Sequence, residues 1–262
     1  MYALYNKDEL LATFDITGDG INQGVSNIVK YDEFPFWVKD IEEWITNRSA
    51  AKHRHFVQKL LKEWGANTLS GFVDLTNCLS MQDTLWVRKT DSELTWKKVN
   101  LFENEFTDVV THLAFDGTGL YGVRVTTTSP ELTTDGAYDK CWIREDNDIY
   151  LLKTGSTGAR NAGLEPFGEY MSSQFYKEFC IDSVEYDITR YHDKVVSKCK
   201  SFATESCGYK PISLFMETSI KRPNKMEELV KSLCGESDSF KRMIIADSVM
   251  LNSDRHFGNF GF

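Results

Sequence analysis

Asp254 and Asn259 stand five residues apart in the run Asp247-Ser-Val-Met-Leu-Asn252-Ser-Asp254-Arg255-His256-Phe-Gly258-Asn259. A carboxylate and an amide at that spacing suit phosphoryl transfer. The carboxylate takes the proton of an acceptor hydroxyl, and the amide oxygen holds a magnesium ion on the phosphates. The turn between them, Arg255-His256-Phe257-Gly258, has to aim both side chains into one cleft. A polar turn following a helix would carry the same letters, so the other parts of such a site must be sought elsewhere in the chain.

Residues 129–153 supply candidates. A polar loop, Thr133-Thr134-Asp135-Gly136, runs to Lys140 and into a strand, a turn at Glu145–Asp148, and a second strand ending at Lys153. Period-two alternation puts Ile149, Leu151 and Lys153 on one face. A lysine in line with an apolar face needs a partner or a ligand. Loop amides that wrap phosphates, with an ammonium to neutralise them, would use it. An edge-strand lysine reaching out to water is the plainer alternative. The next helix, opened by Pro166, carries Phe167, Met171, Phe175 and Phe179 on one face and Glu165 and Glu169 on the other. Either glutamate could form the ion pair that orients a kinase lysine, and spacing does not choose between them.

The elements around these candidates follow from pattern. Residues 1–35 read as short strands and turns, with Thr17-Gly18-Asp19-Gly20 as turn chemistry. Trp37 to Trp64 is helical, and the basic Arg48–His55 segment within it reads as a solvated helix junction. Strands are expected at Thr84–Arg88, Leu120–Thr128 and Pro211–Glu217, and a hairpin at Val184–Cys199. Helices are expected at Met226–Leu233 and Ser239–Asn252. In the last of these, Phe240, Met243, Ile244, Asp247, Met250 and Leu251 form the inward stripe. A carboxylate there must be paired, so Asp247 is expected to brace the following loop through its backbone N–H groups or Arg255.

Composition bounds the answer. The chain has 262 residues, 41% hydrophobic and 26% charged, with a net charge of −9. An acidic balance argues against a nucleic-acid-coating surface, so no direct nucleic-acid partner is expected. No apolar run is long enough to span a membrane, and Met1–Lys7 does not read as a signal peptide. Six cysteines without a C-x-x-C pair read as reduced, partly buried thiols of a cytoplasmic protein, not as a zinc site.

With these pieces placed, residues 120–262 resemble the HipA-like serine/threonine kinases, of bacterial toxin–antitoxin type. The wording D-R-H-x-x-N is similar to that of the phosphoinositide kinases as well. The resemblance implies an α+β fold: an α/β amino-terminal region at 1–119, a protein-kinase-like small lobe of antiparallel sheet plus helix at 120–217, and the first helices of a large lobe at 218–262. More loosely, residues 1–125 resemble the amino-terminal region of HipA-domain proteins from Firmicutes.

By resemblance, Asp254 is the catalytic aspartate, His256 the loop histidine and Asn259 the magnesium ligand. Thr133, Thr134, Asp135, Gly136 and Lys140 belong to the phosphate loop, Lys153 is the nucleotide lysine and Glu169 its helix glutamate. Thr133 falls where the toxin kinases autophosphorylate. ATP and Mg2+ are the implied cofactors, and a protein substrate and an antitoxin-like protein are the implied partners. The family places a second metal-binding aspartate beyond the catalytic loop. A chain ending at Phe262 has no such residue, and weak or no activity is expected of it. It is then expected to expose the apolar face that further helices would cover. A nucleotide-binding or interaction module is the rival reading. Lipid phosphorylation is disfavoured by the acidic charge and the lack of a basic membrane-facing stripe.

Overall fold

Alternation in the first strand, β1 (Tyr2–Asn6), sends Tyr2 and Leu4 into one apolar core and Tyr5 toward another. That division organises the first of two compact units, Met1–Thr154 with Ala203–Gly208. The computed structural model describes residues 1–49, 54–119, 128–158, 162–179, 183–216, 223–252 and 255–262. The strand expected at Leu120–Thr128 lies almost wholly outside them.

β2 (Glu9–Thr17) and β3 (Gly24–Lys30) follow β1. α1 (Ile41–Asn47), α2 (His55–Glu63) and α3 (Leu69–Thr76) come next, then β4 (Leu85–Lys89). The four strands form one antiparallel sheet in the order β3-β2-β1-β4. Leu85 and Val87 join the core with Leu4, Phe14, Ile45 and Leu60, whereas Trp86 packs on the opposite side with Met81, Trp96 and Leu101. Both faces of the sheet are therefore covered. α4 (Trp96–Val99) and α5 (Asp108–Asp116) complete the helices of this unit. A 3-10 turn at Pro130–Thr133 leads to the hairpin β5 (Lys140–Glu145) and β6 (Asp148–Lys153). Its two turn residues, Asp146 and Asn147, both take positive φ, which matches the right-handed twist of the strands.

The second unit comprises Gly155–Phe202 and Tyr209–Phe262. The division thus cuts the expected 120–217 segment between Thr154 and Gly155. Here α6 (Glu165–Phe179) packs on the antiparallel hairpin β7 (Asp187–Tyr191) and β8 (Lys194–Lys200). α7 (Pro223–Cys234) and α8 (Asp238–Val249) follow. A small core gathers Ile212, Met226 and Val230 with Phe240 and Phe260.

The chain is therefore a mixed α+β protein with antiparallel strands and eight α-helices among the described residues.

Three local expectations need correction. Pro211–Glu217 is not a strand: only Pro211 bridges to Gly261, and a 3-10 turn covers Ile212–Phe215. On α6 the packed side is Pro166, Ser173 and Tyr176, while Phe167 and Met171 face solvent. A tyrosine that finds a carboxylate partner can be buried, so this mixed face packs in place of the wholly apolar one. On α8 the buried residues are Ala246 and Asp247, and Ile244, Ile245 and Val249 are exposed, as is Leu251 beyond the helix end.

Candidate nucleotide and catalytic loops

The loop 133–140 is held by its own side chains. Lys140 is buried, and its Nζ donates to the Asp135 carbonyl at 2.7 Å. Gly136 lies between, at φ +96°, where a Cβ would come within 2.2 Å of that nitrogen. Only glycine fits both the dihedral and the ammonium. Asp135 turns its carboxylate back onto the Gly136 N–H at 2.6 Å. The Thr133 hydroxyl donates to the Leu79 carbonyl at 2.6 Å. The Thr134 hydroxyl donates to the Pro130 carbonyl at 2.6 Å and accepts from the Trp142 indole at 2.8 Å. Of the expected phosphate-loop residues, Thr133, Thr134 and Lys140 thus fix the loop's shape.

Lys153 lies directly across the hairpin from Lys140. Opposed residues share a face, so two ammonium-bearing side chains stand side by side at the open end of β5 and β6.

Sequence reasoning missed two buried arginines, one of them beneath this loop. The Arg48–His55 segment is not a solvated junction, because Arg48 and Arg54 are both buried. Arg48 pairs with Asp83 and donates to the Cys78 carbonyl. Arg54, only 1% exposed, donates to the carbonyls of Glu131 at 2.7 Å, Thr134 at 3.2 Å and Lys140 at 2.9 Å. Bonds to a charged donor are worth about 1.5–3 kcal/mol each, against a burial cost of similar order for the unpartnered Nε. Glu131 is fully buried, with its Oε1 accepting the Trp142 N–H at 3.0 Å. Burial pushes its carboxyl above the ordinary range despite that bond. The signal available in the sequence was the local density of basic residues, which does not say which side chains turn inward.

In the second unit the two candidate glutamates have different partners. Glu165 bonds the Ser156 hydroxyl at the mouth of α6, and a Cβ on Gly155 would meet its Oε2 at 2.5 Å. Burial pulls this carboxyl upward, but the Ser156 hydroxyl and backbone N–H groups outweigh it and hold it low. Glu165 therefore closes the 155–165 loop. Glu169, a turn later, accepts from the Ser197 hydroxyl of β8.

The loop after α8 is built around Asp247. This carboxylate is 6% exposed and receives Arg255 Nε at 2.8 Å on Oδ2. Its Oδ1 receives Arg255 Nη2 at 3.1 Å, Asn252 Nδ2 at 2.8 Å and the Tyr176 hydroxyl. Burial pulls the Asp247 carboxyl upward, yet these donors prevail and leave it below the ordinary aspartate value. The brace expected of Asp247 is thus present, through Arg255.

The third guanidinium contact, Arg255 Nη1, donates to the Asn259 carbonyl at 3.0 Å. His256 accepts the Gly258 N–H on Nδ1 at 3.0 Å, and its own carbonyl takes the Asn259 N–H at 2.9 Å. The end of the loop is tied down by Lys210 and Phe262, which exchange backbone bonds of 2.8 and 2.9 Å. Asp254, the expected catalytic carboxylate, lies outside the described residues. Asn259 presents an exposed side chain whose amide oxygen is the hard ligand type that magnesium takes. No cluster of three or more His, Cys, Asp or Glu able to hold a metal occurs among the described residues. Magnesium is usually held by one or two carboxylates together with phosphates and water, and Asn259 would supply one oxygen beside them. No helix among the described residues is long and apolar enough to cross a membrane.

No family model and no curated protein matches the chain. Among solved structures it is similar to the proinflammatory kinase CtkA of Helicobacter pylori, at 22% identity and a TM-score of 0.38. The match covers 48% of this chain and 47% of that one, so the chain spans about half the length of that kinase.

Proposed function

We propose that the chain is an ATP-dependent protein kinase of the HipA-like type, transferring the γ-phosphate to a serine or threonine hydroxyl. The observation that carries this reading is the span of Arg255, from Asp247 at 2.8 Å to the Asn259 carbonyl at 3.0 Å. A guanidinium bonded both to Asp247 and to the Asn259 carbonyl holds the backbone that carries the expected metal ligand. A solvated turn has no use for such a clamp.

In this reading Asp254 accepts the proton of the acceptor hydroxyl as its oxygen bonds the γ-phosphorus. The bond from that phosphorus to the bridging oxygen breaks, and ADP leaves with the electron pair. Lys153 neutralises the nucleotide phosphates, which lie against the loop around Gly136. Asn259 holds the metal, which offsets phosphate charge when bound. His256 shapes the turn through its Nδ1, beside the catalytic aspartate. For Thr133 to act as an acceptor, its hydroxyl must first leave the Leu79 carbonyl.

The test is transfer of labelled γ-phosphate by the full chain, compared with Asp254→Ala. Loss of labelling in the variant supports the kinase. A second reading, an interaction module, is favoured by the exposed Ile244, Ile245 and Val249 of α8 and Leu251 just beyond it. Under that reading Asp254→Ala leaves the chain's biological effect unchanged.

A further inference from the structure

The geometry points to Arg54 as a positioning residue that holds the 131–140 loop in the shape a polyphosphate needs, an inference that rests on the nucleotide reading of that loop. Its guanidinium reaches carbonyls at both ends of one segment: Glu131 and Thr134 on the way in, and Lys140 on the way out. The residues it joins are 77 to 86 positions away in the chain. The contact therefore couples the start of α2 to the loop and gives α2 no local hydrogen bond of its own. Arg54 has non-helical backbone and no side-chain cap bond at the start of α2, so a capping role does not explain it.

Carbonyls that accept from a cation turn their oxygens inward, and across each trans peptide the N–H of the following residue faces the other way. An anion-binding loop uses that polarity: the Thr134 peptide turns the Asp135 N–H away from Arg54, while the Gly136 N–H is taken by the Asp135 carboxylate. Lys140 repeats the device from the other side by taking the Asp135 carbonyl. The acceptors of Glu131, Thr134, Asp135 and Lys140 are thereby occupied by two buried cations. A lysine at position 54 has one compact ammonium, which does not span three carbonyls as a planar fork does.

The experiment compares the full chain with Arg54→Lys and Arg54→Met by hydrogen exchange, alongside titration with MgATP. Arg54→Met removes the charge entirely and keeps the proposal testable should Arg54→Lys fold poorly. In either variant, amides within 132–140 are expected to exchange at least tenfold faster. Those of β1, β2 and α5 stay within about twofold, and MgATP binds about tenfold more weakly. Unchanged exchange in 132–140, or acceleration spread evenly over the first unit, overturns the proposal. If the unmodified chain does not bind MgATP, the kinase reading fails by itself, and the exchange comparison still decides whether Arg54 shapes the loop.

Discussion

Asp247 and Arg255 meet through two bonds, Nε to Oδ2 at 2.8 Å and Nη2 to Oδ1 at 3.1 Å. One partner ends a helix and the other opens the loop that follows it, so the pair transmits the fixed position of α8 to the loop. Arg255 also lies over the Tyr176 ring, 5.7 Å from its centre, and Tyr176 shares the same carboxylate. A planar cation bonded on its edge and stacked on its face has little freedom left.

Replacing Asp247 with Asn removes a charge that three donors share. A loss of about 2–3 kcal/mol in unfolding free energy is expected, the scale of hydrogen bonds to a charged group. The loss depends on pH in a fixed direction. The folded carboxyl sits below the ordinary value of 3.8, so its stabilisation is complete above that pH and fades as pH falls through the lower folded value. The difference between denaturant melts of the two proteins should therefore be full at pH 7 and begin to shrink only as pH falls below 3.8. A constant difference across that range would contradict the assignment.

Gly136→Ala places a methyl group 2.2 Å from Lys140 Nζ at a φ of +96°. The loop must open to admit it. MgATP affinity is expected to drop at least tenfold in calorimetry, while the thermal midpoint moves by only a few degrees, since Gly136 lies outside both apolar clusters of this unit.

Glu165→Gln and Glu169→Gln should separate. The first loosens the loop that Ser156 closes, and limited proteolysis should cut the 155–165 segment faster with little change in nucleotide affinity. The second, if Glu169 orients Lys153, should weaken MgATP binding severalfold. Equal effects on affinity would mean that the two glutamates do not divide these roles.

Much of the fold was legible because its signals are local. The hairpin at 140–153, the hairpin at 187–200 and the helices after 223 follow from alternation, turn residues and helical spacing. The role of Asp247 was legible for another reason, since a carboxylate within an apolar stripe has to find a donor. What failed was the choice of face. On α6 the aromatic Phe167 and Met171 stay in water, and Tyr176 goes in because Asp247 awaits its hydroxyl. Arg54 was out of reach for a similar reason. Its three acceptors lie far along the chain, and no spacing rule announces a contact between residue 54 and residue 140.

The central claim is that these residues handle a nucleotide's phosphates, and the most direct measurement is a calorimetric titration of the chain with ATP, with and without magnesium, beside Lys153→Ala. The account predicts binding that magnesium strengthens and that Lys153→Ala weakens by tenfold or more. Absence of ATP binding under both conditions, or binding indifferent to Lys153, would contradict it.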